Sequence, residues 1–230
     1  MTVSYQERDT AVAGVVEWRQ LLGPEPAAKT IMPDGCLDLI WDGRRLFVAG
    51  PDTTARVHRS PAGASYAALR FAGGTGPAFL GLAAHEVADS ELALDQIWPA
   101  SRARAFTERV AADPSALTAW ALERARTRAV DPLGPRVQAM AATGTSIASM
   151  ADRLSLSTRQ LHRRCLPVFG YGPRRLARVL RLGRALEEAR AGVPLAQIAA
   201  GCGYADQAHL AREVQKLAGT SPTRLLREAG

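Results

Sequence analysis

Apolar residues recur along this chain with two different periods. Over residues 28–32, 36–41, 46–49 and 64–71 they alternate, or run in short stretches, between Pro-Asp-Gly, Asp-Gly and Gly-rich turns. Such stretches predict strands. Beyond Gly73-Gly74-Thr75-Gly76 the period lengthens to that of helices, over 77–82, 92–98, 102–111 and 114–128. Residues 129–135 hold Pro132, Gly134 and Pro135, which break helices on both sides and mark a junction. After it the pattern is helical almost throughout. The predicted fold class is α+β: an amino-terminal small sheet or half-barrel with helices, then an all-α carboxyl-terminal region. The predicted domains are residues 1–130 and 131–230.

The helical part repeats itself. Leu161, Arg163, Gly170, Pro173 and Leu176 match Leu210, Arg212, Gly219, Pro222 and Leu225 at an offset of 49. Upstream the offset is 48, pairing Ile147, Met150 and Ala151 with Leu195, Ile198 and Ala199. Seven or eight matches in register point to two copies of one supersecondary unit. In the first copy Ser146 caps a helix over 147–153, Leu154-Ser155-Leu156 turns, and Ser157 caps a second helix. In the second, Pro194 starts a helix to about residue 200. Residues 201–205 then turn, and Asp206 caps a helix from 207 to about 217. Two short helices joined by a tight turn form a helix-turn-helix, whose second helix enters the major groove of DNA.

Residues 173–190 join the copies. Leu176, Val179, Leu180 and Leu186 share one helical face, and Arg174, Arg175, Arg178, Arg181 and Arg184 spread over the rest. Eighteen residues make a rod of about 27 Å, while successive major-groove faces recur every ~34 Å. One chain could therefore set two reading helices about one DNA turn apart.

Charge agrees with this division. Residues 1–133 carry 14 basic and 16 acidic side chains, and residues 134–230 carry 15 and 6. The positive excess thus lies in the repeated half, which implies a polyanionic partner such as double-stranded DNA. Composition otherwise narrows the class. Three scattered cysteines, Cys36, Cys165 and Cys202, suit a reducing compartment rather than a disulfide framework. No uncharged run exceeds 15 residues, short of a membrane span, and the first ten residues lack a secretory pattern. The expectation is a soluble cytoplasmic chain with no membrane partner.

At this point the sequence resembles a known family. Gly203-Tyr204-Ala205-Asp206-Gln207-Ala208-His209-Leu210-Ala211-Arg212, followed by Gly219-Thr220-Ser221-Pro222, is similar to the tandem helix-turn-helix domain of AraC/XylS bacterial transcription regulators. So is the first copy, from Ser157 through Arg163 to Gly170 and Pro173. The resemblance covers about 95 residues, counting a leading helix over 135–142. It implies a sequence-specific regulator with no enzyme activity and no cofactor or metal. Arg159, His162 and Arg163 on the first reading helix, and Gln207, Ala208, His209 and Arg212 on the second, would face DNA. The chemistry is suitable: Arg pairs with guanine, Gln with adenine, and Ala can meet a thymine methyl. Thr158 and Lys216 would meet phosphates. The resemblance also admits a homodimer, RNA polymerase as a partner, and a small-molecule effector in a cupin-like amino-terminal domain.

The chain departs from that family in three places. Cys165 and Val214 stand where a bulky aromatic is usual. Pro167 should end the first reading helix near Leu166. Gly172 replaces a hydroxyl residue before Pro173, weakening that cap.

The amino-terminal half holds little recognisable chemistry. Gly73-Gly74-Thr75-Gly76 lacks the Lys-Ser/Thr of a phosphate loop and the dinucleotide spacing, and reads as a loop before a helix. His58 and His85 have no metal-ligand spacing. Asp34, Asp38 and Asp42 recur every four residues, as strand alternation and turn capping explain. Cys36 leaves open a methyl-accepting DNA repair protein with the same DNA reader, although the expected cysteine-rich zinc site is missing from the sequence. A non-catalytic architectural DNA-binding protein is the other alternative.

Overall fold

The computed structural model describes residues 4–228. Strands β1 (Ser4–Asp9), β2 (Val15–Leu21), β3 (Ala27–Ile31), β4 (Leu37–Trp41), β5 (Leu46–Ala49), β6 (Arg56–Ser60) and β7 (Ser65–Phe71) come first. Helix α1 (Gly76–Leu80), a 3-10 turn (Ala84–Glu86), strand β8 (Glu91–Ala93) and helices α2 (Leu94–Ile97), α3 (Ala100–Ala112) and α4 (Ala116–Thr127) follow. The rest is helical: α5 (Leu133–Ala142), α6 (Ile147–Arg153), α7 (Thr158–Phe169), α8 (Pro173–Arg190), α9 (Leu195–Gly201), α10 (Gln207–Ala218) and α11 (Pro222–Glu228). The fold is α+β, as the hydrophobic pattern predicts.

Six strands form one antiparallel sheet in the order β1-β2-β7-β4-β5-β8, while β3 and β6 pair as a separate ribbon. Strand alternation gives the large sheet two faces. Leu39, Val48 and Leu69 point to one side, where they pack with Phe79, Phe106 and Trp120 from α1, α3 and α4. Trp18, Ile40, Phe47 and Tyr66 point to the other, toward the ribbon. The half-barrel expectation is therefore met by a sheet with helices on one face and a two-stranded ribbon over the other.

The carboxyl-terminal helices build two cores. Val137, Met150, Leu161, Phe169 and Leu176 belong to the first, and Leu186, Ile198, Leu210, Val214 and Leu225 to the second. Helix α8 supplies both. The repeat read from side chains is also written in the backbone. Left-handed residues Gly144, Ser155 and Gly170 recur as Gly192, Gly203 and Gly219, each with φ between 53° and 82°. The offsets are 48, 48 and 49, the same shift shown by the apolar positions.

Two expectations need correction. Helix α7 does not stop at Leu166; it runs through Pro167 to Phe169. Pro167 lies in the last turn, so it removes one backbone hydrogen bond while Leu161, Cys165 and Phe169 stay anchored in the core. Gly170 then closes the helix in the left-handed conformation, its N–H donating to the Leu166 carbonyl. The single helix expected over 92–98 is instead β8 followed by the one-turn α2. Strands β1, β2 and β6 lie outside the stretches singled out from the apolar pattern; β1 is exposed at all six positions.

The amino-terminal elements touch both helical units. Val168 of α7 sits against Gly74, where an added Cβ would come within 2.3 Å of its Cγ1. Gly170 faces Pro51 and the Ala84 carbonyl. Arg175 donates to the Thr53 carbonyl at 3.4 Å, and the Ala55 N–H donates to the Leu217 carbonyl at 2.6 Å. Met32, just past β3, packs on the second core. The glycine loop at 73–76 is thus a landing place for α7, as well as the start of α1.

Candidate nucleic-acid interface

Helices α7 and α10 are built alike. The Ser157 hydroxyl accepts from the Gln160 N–H at 3.2 Å, and Gln160 Oε1 accepts from the Ser157 N–H at 2.8 Å, a reciprocal capping box. Asp206 caps α10 by accepting from the His209 N–H at 2.6 Å. Each helix buries one stripe: Leu161, Cys165 and Phe169 in α7, and Leu210, Val214 and Leu217 in α10. Cys165 and Val214 thus occupy core positions where the family resemblance led us to expect aromatics.

The opposite faces are open. Thr158, Arg159, His162 and Arg163 are exposed on α7, and Gln207, Ala208, Arg212 and Lys216 on α10. Among the described residues, Arg159, Arg163 and Arg212 have no carboxylate within ion-pair distance. Two histidines are more constrained. The His162 ring lies over Gly172, where a Cβ would approach its Nδ1 to 2.2 Å. The missing hydroxyl cap before Pro173 is therefore accompanied by an imidazole in its place. His209 is half-buried; its Nδ1 accepts from the Ala205 N–H at 3.2 Å and its ring meets Tyr204 edge-on. That leaves its Nε2 edge for an outside contact.

Helix α10 is fixed to α8 by Glu213. Arg178 donates to both carboxylate oxygens, at 2.8 and 3.3 Å, and Lys216 stands 3.7 Å away. These cations hold the Glu213 carboxyl below its usual value despite partial burial. Arg181 stacks over Tyr204 at 4.4 Å and donates to the Gly203 carbonyl. The bracing arginines therefore come from α8, and Arg212 is left pointing outward. In α7 the position equivalent to Glu213 is Arg164, which reaches Asp131 at 3.4 Å on the surface.

A cavity of about 290 Å³ lies between the sheet and the ribbon. Trp18, Ile40, Phe47 and Tyr66 form its apolar side. Asp38 accepts from Trp18 Nε1 at 2.9 Å and from Arg70 Nε at 3.2 Å. Burial raises the Asp38 carboxyl, opposed by the Arg70 charge. The contributing residues come from strands scattered between β1 and β8, so no local motif announces them. Asp38 belongs to this lining, whereas Asp34 and Asp42 serve the turns expected of them, accepting from Cys36 and from Arg44 and Arg45.

Cys36 does not suit a nucleophile. Burial pushes its thiol well above the ordinary range, and Asp34 and Asp38 push it further. A reactive thiol needs cationic surroundings. Among the described residues no group of His, Cys, Asp and Glu is arranged to hold a metal ion, and no helix is long and apolar enough to cross a membrane.

Two capped helices with open basic faces, held by one long helix, define a DNA-binding transcription regulator. Comparison with known proteins gives a match in each half. Residues 150–228 match a helix-turn-helix domain, and residues 12–93 match a domain of unknown function, DUF6597. The first of these matches covers the repeated helical units, and the second covers most of the strands. No curated protein sequence matches it. Apo ToxT from Vibrio cholerae strain SCE256 is similar in fold, at 11% identity and a TM-score of 0.50, over 96% of this chain and 100% of that one. A probable AraC family transcriptional regulator from Rhodopseudomonas palustris CGA009 shares 21% identity over 43% of this chain and 98% of its own, with a TM-score of 0.38.

Proposed function

We propose that this chain reads two successive major-groove faces of one double-stranded site, α7 entering the first and α10 the second. The observation that supports this most strongly is the doubled open face on two side-chain-capped helices, separated by an 18-residue rod. Arg159, His162 and Arg163 form the first base-reading set, with Gln207, Ala208, His209 and Arg212 as the second. Thr158 and Lys216 meet phosphates, which position the protein without specifying sequence. Residues 131–230 act as the DNA-binding domain. Residues 1–130 act as the regulatory domain, taking a small-molecule effector in the cavity between sheet and ribbon and offering a surface for a second copy. The protein acts without catalysis, in the cytoplasm, upstream of RNA polymerase.

In vitro selection from random duplexes, followed by footprinting of the full chain, tests this reading. The expected result is a discrete site protected over two major-groove turns. Protection confined to one groove, or binding with no sequence preference, would overturn it.

A further inference from the structure

Strand alternation divides the residues of the ribbon. Ala27, Lys29 and Ile31 of β3, with Arg56, His58 and Ser60 of β6, line the cavity. Thr30 and Val57, between them, border clefts shared with α11 and the end of α10, which the exposed Lys29 and the half-buried Arg56 also reach. The ribbon is therefore one layer thick between the cavity and the second reading unit.

Most charges in the cavity are already matched. Arg70 meets Asp38 at 3.2 Å and Glu7 at 3.0 Å, and Arg56 meets Asp52 at 3.0 Å and Glu91 at 2.9 Å. Two groups are not. Lys29 lies 5.0 Å from the Tyr5 ring centre and, among the described residues, has no carboxylate partner. His58, directly opposite it in the ribbon, meets among the described residues the Tyr66 hydroxyl at 3.4 Å and no carboxylate. An unmatched cation beside an imidazole, at the edge of an apolar cavity, suits one anionic group. The remaining wall is ring-rich: Tyr5, Trp18, Phe47 and Tyr66 all contribute. Rings favour offset or edge contacts with another flat ring. A cavity of about 290 Å³ is at the small end for ligand sites, which favours a compact ligand over a long chain.

We propose that the cavity binds a compact, planar aromatic monocarboxylate, its ring against Trp18 and Phe47 and its carboxylate on Lys29 and His58. This rests on the amino-terminal half being the regulatory input, and it names the effector class. The acid group would sit on the same two strands that support the second reading unit, so occupancy would be felt at the contact between Ala55 and Leu217.

Calorimetric titration of the full chain without DNA tests the site apart from DNA reading. Cinnamate, cinnamamide and decanoate serve as probes. Cinnamate should bind at least tenfold more tightly than its uncharged amide, the scale of one charge-assisted contact, and more tightly than decanoate. Lys29→Ala should abolish the preference for acid over amide while leaving amide binding unchanged, and His58→Ala should reduce that preference. Trp18→Leu should weaken both aromatic probes. Equal binding of acid and amide, stronger binding of decanoate, an unchanged preference in Lys29→Ala, or no heat with cinnamate at millimolar concentration would each overturn the proposal. Failure to find a DNA site would bear on the function above and leave these titrations intact.

Discussion

The backbone N–H of Ala55 donates to the carbonyl of Leu217 across 2.6 Å, tying the approach to β6 to the last turn of α10. The Leu217 carbonyl is one of the four at a helix C-terminus that lack an intrahelical partner. The amino-terminal half thus completes the end of the second reading helix. Replacing Ala55 by Pro removes the donor. The expected outcome is faster amide exchange across α10 and α11, with exchange in α6 and α7 unchanged, measured by hydrogen–deuterium mass spectrometry. Equal protection in both proteins would show that this contact carries nothing.

Arg212 and Lys216 lie one turn apart on the open face of α10, and their substitutions should differ in kind. Arg212→Ala should lose about 1–3 kcal/mol of discrimination at one base pair. Lys216→Ala should weaken all sequences alike and lower the slope of log affinity against log salt by about 1. Titrations on single-base variants of the selected site at several salt concentrations separate the two. An unchanged base preference in Arg212→Ala would remove that residue from the reading set.

Glu213 gives a pH signature. Its carboxyl is held below the ordinary value of 4.5 chiefly by Arg178, working against burial. Its contribution to stability is therefore present at neutral pH and is lost as the pH falls through the native value, below 4.5. Glu213→Gln should cost about 2 kcal/mol at pH 7, the scale of a charge-assisted hydrogen bond. That cost should shrink steadily under acid conditions. Urea unfolding of both proteins from neutral to acid pH follows the difference.

Gly170 serves two purposes at once. Its φ of +79° ends α7, and a Cβ there would lie 2.7 Å from Pro51 Cγ. Gly170→Ala should cost more than the about 1–2 kcal/mol of a left-handed residue alone. The equivalent Gly219→Ala has nothing within 4 Å of its added Cβ and should cost only the backbone share. Thermal unfolding of the pair measures the difference.

Cys36 should behave as a poor nucleophile. With its thiol raised by burial and two nearby carboxylates, alkylation by iodoacetamide at neutral pH should be much slower than for a free thiol. Its mass should be unchanged after incubation with methylated DNA. Methyl transfer to Cys36 would revive the repair-protein alternative.

Much of the helical half was legible because its signals are local. Pro173 at the start of α8 and the spacing of Leu176, Val179 and Leu186 mark that helix without reference to anything distant. Ser146, Ser157 and Asp206 cap where their side chains say they should. The end of α7 departs from the sequence pattern because a proline near a helix end costs little when core contacts continue past it. The cavity was not legible at all. Trp18, Lys29, Asp38, His58 and Tyr66 come from five different strands, and only the sheet order brings them together. Strands β1 and β6 fall within the strand-rich residues 1–75, yet their bounds are not marked, since Ser-Tyr-Gln-Glu-Arg-Asp and Arg-Val-His-Arg-Ser are polar with little apolar alternation.

Because α8 contributes Val179 to one core and Leu182 to the next, its screw works as an angular gauge. One extra residue at position 181 would advance everything beyond it by 1.5 Å and turn it by about 100°. Each unit would still fold, yet α10 would face away from the groove that α7 had entered. On the two-groove reading, the phase between the halves of the operator is therefore set by helix pitch, and operators with an altered spacer are closed to this chain.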